Sequence, residues 1–318
     1  MESIWSFLAT SAIAFAVVPA WAQTFPEKPV RIIVPYVAGQ GVDITTRAVS
    51  EKLSKELGKE FVIENKSGAA GNLGTQFVKQ APADGYTLLA CTNATHAANS
   101  ALYPSSGIVP DEDFVPIALT GMFPMVVVVS GDSPWNNLQD LVAAARAKPD
   151  TINVALPHTT ARVVFELLRG EAKAPLFGVL YRGLPLADIV SDRVQVLIDT
   201  VAATRALIAS GRLKALAVTT AEPTALLPGV KTVAQQGVPG FEIVAWTAIC
   251  APKDTPPTTV KILEQATQRV MAMPETRERL TQLAVEPRTM GASELSAFIK
   301  AETKKWGETI RSAKITAE

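Results

Sequence analysis

A β-branched run from Val30 to Val34 leads straight into Pro35-Tyr36-Val37-Ala38-Gly39-Gln40-Gly41-Val42-Asp43, and that loop opens an amphipathic helix. This strand, glycine loop and helix commit the chain to an α/β layer architecture, because the strand buries both faces and the helix must pack back on the sheet. The glycines let the backbone turn and approach a ligand without an intervening Cβ, and the helix start brings N–H groups that have no intrahelical acceptor. An anion site is one consequence. An ordinary strand-to-helix turn with Asp43 as N-cap is the other, and glycine spacing alone does not separate them.

The alternation continues. Ile44 to Leu57 reads as a helix with Ile44, Ala48, Val49, Leu53 and Leu57 on one face and Gly58 as its stop. Strands at Phe61–Glu64 and Tyr86–Cys91 flank a helix at Leu73–Gln80, and this β-α-β-α-β order predicts a parallel sheet with right-handed crossovers. After Pro124 a second block begins, with strands at Val126–Val129, Ile152–Leu156, Phe177–Tyr181, Val194–Ile198 and Leu213–Thr219. Helices at Leu138–Ala147, Thr160–Leu168, Leu186–Val190 and Ala203–Ser210 separate them. The C-terminal part is helical over Thr259–Met271, Glu275–Leu283 and Ala292–Ser312. Open α/β sheets bind ligands beyond the carboxyl ends of their strands. Polar or glycine-rich segments occupy such ends at Pro35–Asp43, Asn65–Gly74 and Thr92–His96 in the first block. Pro157–Thr160, Tyr181–Gly183 and Asp199 do so in the second, which predicts a cleft between two domains.

The first 22 residues read as a secretory signal peptide: Ala9 to Val18 is mostly apolar, Pro19 breaks the run, and Ala20-Trp21-Ala22 is a small-residue cleavage site. Its n-region departs from the usual pattern, since Met1 to Phe7 carries Glu2 and no Lys or Arg. A mature chain of this length fits two domains of ~100–200 residues each. With Lys plus Arg and Asp plus Glu equal at 30 each, no global field favours nucleic acid, so anion selectivity must be local. An exported chain meets an oxidising compartment, yet it has only Cys91 and Cys250. Both lie in apolar strand-like segments, where buried free thiols are the default and a disulfide is the alternative that the Cα distance decides.

Catalytic and metal constellations are absent. There is no G-x-S-x-G elbow, phosphate-binding P-loop or H-E-x-x-H pair, and two Cys with two His (His96 and His158) do not make a structural zinc site. No metal and no cofactor are expected. His158 beside Thr159 and Thr160 reads as a polar pocket wall or helix start rather than a base with its nucleophile. Asp199 either accepts a hydrogen bond from a ligand or caps the next helix. Trp246 and Phe123 read as core or hinge packing.

Taken together, these segments resemble the tripartite tricarboxylate transporter substrate-binding proteins, the TctC-like or Bug family of solute receptors, over essentially the whole mature chain. Members read P-[FY]-x-x-G-G-x-x-D-x-x-x-R after the first strand; Pro35, Tyr36, Gly39, Asp43 and Arg47 match, with Gln40 in place of the second glycine. A second family segment appears as Val62, Glu64, Asn65, Gly68, Ala69, Gly71 and Gly74, and a third as Asp84 to Leu88. Asp113-Phe114, Tyr181-Arg182-Gly183, Leu216 to Thr219, Leu227-Pro228, Gly237 and Ala251-Pro252 also fall in place.

The resemblance implies a two-domain periplasmic-binding-protein type II fold with the ligand cleft between residues 23–124 plus 247–318 and residues 125–246. It implies a periplasmic monomer that binds a small organic carboxylate and delivers it to membrane permease subunits or, alternatively, to a sensor kinase. The first-domain wall would comprise Tyr36, Val37, Ala38, Gly39, Gln40, Asp43, Gly68, Ala69, Ala70, Gly71, Thr92 and Asn93. The second would comprise His158, Thr159, Thr160, Tyr181, Gly183 and Asp199. Backbone N–H groups, hydroxyls and waters, rather than Arg forks, would hold the carboxylate. One departure is sharp: relatives carry S-G-x-G-T before the second-domain helix, whereas this chain has Ala155-Leu156-Pro157-His158-Thr159. Losing both glycines and gaining an imidazole predicts an altered ligand, aromatic at its distal end or lacking a second carboxylate.

Overall fold

The computed structural model describes residues 25–181 and 183–317; the expected leader, residues 1–22, lies outside them. No helix among the described residues is long and apolar enough to cross a membrane. Nine strands form the framework: β1 (Val30–Val34), β2 (Phe61–Asn65), β3 (Thr87–Thr92), β4 (Phe114–Ser130), β5 (Asn153–Leu156), β6 (Phe177–Leu180), β7 (Val196–Thr200), β8 (Leu213–Val218) and β9 (Val244–Pro252). Helices α1 (Gly41–Leu57), α2 (Asn72–Lys79), α3 (Asn99–Leu102), α4 (Pro110–Asp113), α5 (Leu138–Ala147) and α6 (Thr159–Glu171) connect the earlier ones. Later in the chain come α7 (Leu186–Val190), α8 (Val201–Ala209), α9 (Pro257–Ala272), α10 (Pro274–Gln282) and α11 (Ala292–Ser312).

The expected parallel units are present as two trios toward the ends of one nine-stranded sheet. β2-β1-β3 is parallel throughout, with Val34 opposite Asn65, and β7-β5-β6 is parallel, with Leu156 opposite Leu180. Each trio therefore points three carboxyl ends the same way. Between the trios run β4 and β9, antiparallel to each other and to their neighbours. Residues 126–129 were expected as a short strand after a break at Pro124; instead β4 is one 17-residue strand. From Phe114 to Pro124 it pairs with β9, and from Met125 on it pairs with β7 and β8. Pro124, with no N–H to donate, sits at that change of partner, where a proline costs the ladder least.

Separate apolar clusters fill the two ends. Val30, Ile32, Val34, Leu53, Leu88 and Leu263 pack under the first trio, while Val127, Val129, Val154, Val163, Phe165 and Ile198 pack under the second. The end of α11 (Trp306, Ile310) and Ala97–Ala98 join the second cluster, while its start (Leu295, Ile299) packs with Ile33 and Leu89 on the first trio, so the C-terminal helix reaches both ends. Phe123 is buried in the first cluster beside Gly41, and Trp246 is buried edge-on against Phe298 at 5.6 Å, so both serve as packing at the crossing.

Cys91 and Cys250 are buried, as expected, but they are not free thiols. Leu89 is the register partner of Cys250, which sets Cys91 diagonally across β3 and β9, and the Cα atoms lie 6.0 Å apart and carry a disulfide. The bond closes a loop with a sequence separation of 159 and ties the first trio to β9. Replacing both cysteines by alanine should lower the unfolding free energy by about 2–5 kcal/mol, read from the urea midpoint. An unchanged midpoint would mean that the bond adds nothing.

Candidate functional site

The loop after β1 is held by a buried carboxylate. Helix α1 starts at Gly41 with Gln40 as its N-cap, so Asp43 is not the cap but lies in the first turn. Its side chain reaches back: Asp43 Oδ2 accepts from the Gly39 N–H at 2.9 Å, and Oδ1 accepts from Asn65 Nδ2 at 2.9 Å. Arg47, one turn on, donates from Nε at 3.1 Å and extends Nη2 to Asn65 Oδ1 at 3.0 Å. Asn65 Nδ2 also meets the Tyr36 carbonyl at 3.0 Å. Burial alone would raise the Asp43 pKa; hydrogen bonds from Arg47, Gly39 and Asn65, together with the Arg47 charge, outweigh it and hold the carboxyl below its ordinary value. Asp43 is 2% exposed and fully engaged, so it braces the loop, while Val37, Ala38, Gly39 and Gln40 stand exposed on it. Gly39 has φ +85°, a conformation in which a side chain is strained.

Beside this loop the chain makes a left-handed turn. Gly68, Ala69, Ala70 and Gly71 all have positive φ, at 144°, 47°, 54° and 91°. Two alanines in that region carry strain that the surroundings must offset. Asn99 Nδ2 does so in part, donating to the Ala70 carbonyl at 3.0 Å. A Cβ on Gly71 would meet Thr95 Cγ2 at 2.9 Å, with the Tyr36 hydroxyl 3.5 Å away, so turn and loop touch. The Tyr36 hydroxyl pairs with Thr92 Oγ1 at 2.8 Å, and burial pushes the phenol up to about 12 against the pull of that bond, so it stays protonated.

Asn93 then links the two walls. Its Nδ2 donates to Thr160 Oγ1 at 3.0 Å, and its Oδ1 accepts from the Trp246 N–H at 3.3 Å. Thr159 opens α6 and His158 is its N-cap, with Nδ1 accepting from the Ala161 N–H at 3.2 Å. His158 Nε2 lies 3.5 Å from Asp199 Oδ1. Asp199 is within β7, and Thr200 caps α8 with Oγ1 accepting from the Ala203 N–H at 3.2 Å, so the expected helix-capping alternative for Asp199 falls to its neighbour. Tyr181, at the end of β6, donates to Asp188 Oδ2 at 3.2 Å, and Gly183 is exposed with φ +103°.

The structure thus joins Tyr36, Thr92, Asn93, Thr160, His158 and Asp199 along the strand ends. Sequence reasoning missed Asn65 and Arg47 as parts of the site, although both were family matches; their role shows only when β2 is placed beside β1. His96 leaves the strand-end loop for the core, where burial takes its pKa down to about 3 against the charge of Asp113, its ring packs on Phe114 at 5.0 Å, and it nears both sulfurs of the disulfide. Those sulfurs are bonded to each other and offer no thiolate. Concavities of about 540 and 310 Å³ lie at the other end of β4, around Val115 and Lys253, away from these loops.

Two trios of parallel strands that share crossing strands and turn polar carboxyl ends toward one another define a periplasmic-binding-protein fold. The chain belongs to the tripartite tricarboxylate transporter receptor family, whose model matches residues 45–315. It is 34% identical to a protein encoded in the tcbD–tcbE intergenic region of Pseudomonas sp. (strain P51), over 92% of this chain and 88% of that protein. It is 30% identical to BugT of Bordetella pertussis, over 96% and 94%. Among solved structures, an R. palustris protein with adipate superposes with TM-score 0.83 at 29% identity, covering 92% of this chain and 99% of that one. The periplasmic binding protein BugD gives TM-score 0.79 at 31% identity over 92% and 100%. MatC from Rhodopseudomonas palustris, with bound malate, gives 0.77 at 28% over 90% and 100%.

Asp43→Asn keeps the shape of the brace and removes its charge, and should cost about 1–3 kcal/mol of stability at pH 7. Because the folded-state pKa is depressed, this contribution is complete above the unfolded value of about 3.9 and is lost as pH falls through the lower folded value. Thermal scans of both proteins should therefore show a gap at pH 7 that closes below about pH 4. Equal midpoints at pH 7 would remove the brace.

Proposed function

We propose that the chain is an extracytoplasmic receptor that closes its two strand-end walls on a small organic carboxylate and presents it to the permease subunits of a tripartite tricarboxylate-type transporter. The observation that carries this reading is the braced loop: Asp43, Arg47 and Asn65 consume one another and fix the exposed backbone of Val37 to Gln40 in one conformation. A rigid loop with its side-chain charges neutralised recognises a carboxylate by backbone donors and ordered water rather than by an ion pair. The adipate and malate held by two structural relatives support the same chemical class.

Exposed apolar side chains flank both walls, Val37 and Leu73 on the first and Leu180 and Leu184 on the second, which suits a ligand with an apolar body between polar ends. A ligand touching both walls gains contacts only when they approach, so binding and closure are one equilibrium. The fold would act as a monomer in the periplasm, with residues 125–246 moving against the rest. As a receptor it needs no nucleophile, and His158 serves as a cap and Asp199 partner rather than as a base.

Isothermal titration against mono- and dicarboxylates should find at least one that binds, and small-angle scattering should show the radius of gyration falling on its addition. If no organic anion binds, the carboxylate reading is wrong.

A further inference from the structure

The second wall carries a proline and a histidine on the connection between β5 and α6. Pro157 and His158 follow β5, whose register with β7 (Ala155 opposite Leu197) brings the residues after Leu156 beside Asp199. The Ala161 N–H points at His158 Nδ1, so that nitrogen is the acceptor and the proton of the ring sits on Nε2, 3.5 Å from Asp199 Oδ1. Asp199 Oδ1 also accepts the Thr200 N–H at 2.6 Å and is 3.3 Å from the Thr200 hydroxyl. Every donor that meets this carboxylate among the described residues goes to Oδ1, which leaves Oδ2 with its lone pairs unclaimed. Asp199 is 5% exposed, a setting in which a second anion is poorly screened.

We infer that His158 and Asp199 together select the far end of the ligand: the wall accepts a hydrogen-bond donor on Asp199 Oδ2 and rejects a carboxylate. The ligand class is then a monocarboxylate whose other end is an alcohol, phenol, amide or amine, joined through an apolar body. This rests on the carboxylate reading above and goes further by naming the distal group. Two features cooperate. Pro157 has no N–H, so this turn offers no backbone donor at that position to a second carboxylate. The Thr200 N–H holds the Asp199 carboxyl at 2.6 Å and His158, itself fixed as the helix cap, faces it at 3.5 Å, so the acceptor is preorganised. Asp188, the other acid near this wall, is occupied by Tyr181 and Arg193 and stands apart from the selection.

Matched pairs test this directly: 6-hydroxyhexanoate against hexanedioate, and 4-hydroxybenzoate against benzene-1,4-dicarboxylate, titrated calorimetrically into the full mature chain. The hydroxy member of at least one pair should bind about tenfold or more tighter than its diacid, and Asp199→Asn should shrink that ratio by a similar factor. His158→Asn keeps a good helix cap, so it should hold the thermal midpoint while changing the ratio, a result that a purely structural histidine would not give. A diacid that binds wild type as well as its hydroxy partner, or a ratio untouched in D199N, overturns the inference. Failure of all four probes while other carboxylates bind also counts against it and leaves the receptor reading standing. Absence of binding by every organic anion removes both.

Discussion

Strands β4 and β9 are the constraint on which the rest depends. They lie between the two parallel trios: β9 pairs with β3 of the first, and β4 exchanges β9 for β7 and β8 between Pro124 and Met125. The first trio is hydrogen-bonded to β9, β9 to β4, and β4 to β7 of the second trio, so the two trios are joined by one continuous ladder. Trp246 and Phe123 lie at that point, and the Trp246 N–H holds Asn93, which in turn holds Thr160 at the start of α6. Packing at the crossing is thus linked by two hydrogen bonds to the second wall. A receptor needs this combination of a fixed axis and opposed strand ends.

How much of this was legible followed from how local each signal is. The parallel strands and their helices could be read because buried β-branched runs and 3.6-residue periodicity are properties of short windows. β4 was not, because Pro116 and Pro124 look like breaks; each is tolerated only where the ladder changes register or partner, a fact of the sheet and not of the segment. The short helices between Asn93 and Asp113 are too brief to show a period. Asp43 was placed as a cap on residue preference, yet Asn65 and Arg47 draw its carboxylate into a tertiary brace and the helix begins before it. For Cys91 and Cys250, composition favoured free thiols, and only the pairing of β3 with β9 brings them together.

The two walls differ in what they are made of, and this explains how such a site can change ligand without changing fold. On the first wall the groups offered are mainly backbone, at Val37 to Gln40, beside a turn of four positive-φ residues. Side chains there act from behind, as Asp43 and Asn99 do, to hold main chain in conformations it would not otherwise keep. On the proposed reading such a wall would recognise a group by charge and shape, and substitutions on it would mostly weaken it. The second wall offers side chains on a β5–α6 connection without glycine, with Asn93 to Thr160 as the shared anchor. His158 places a ring beside Asp199 and at the same time supplies the cap of α6. On the proposed reading, selectivity would turn on that position, whereas the first wall is tied to a brace whose every member depends on the other two.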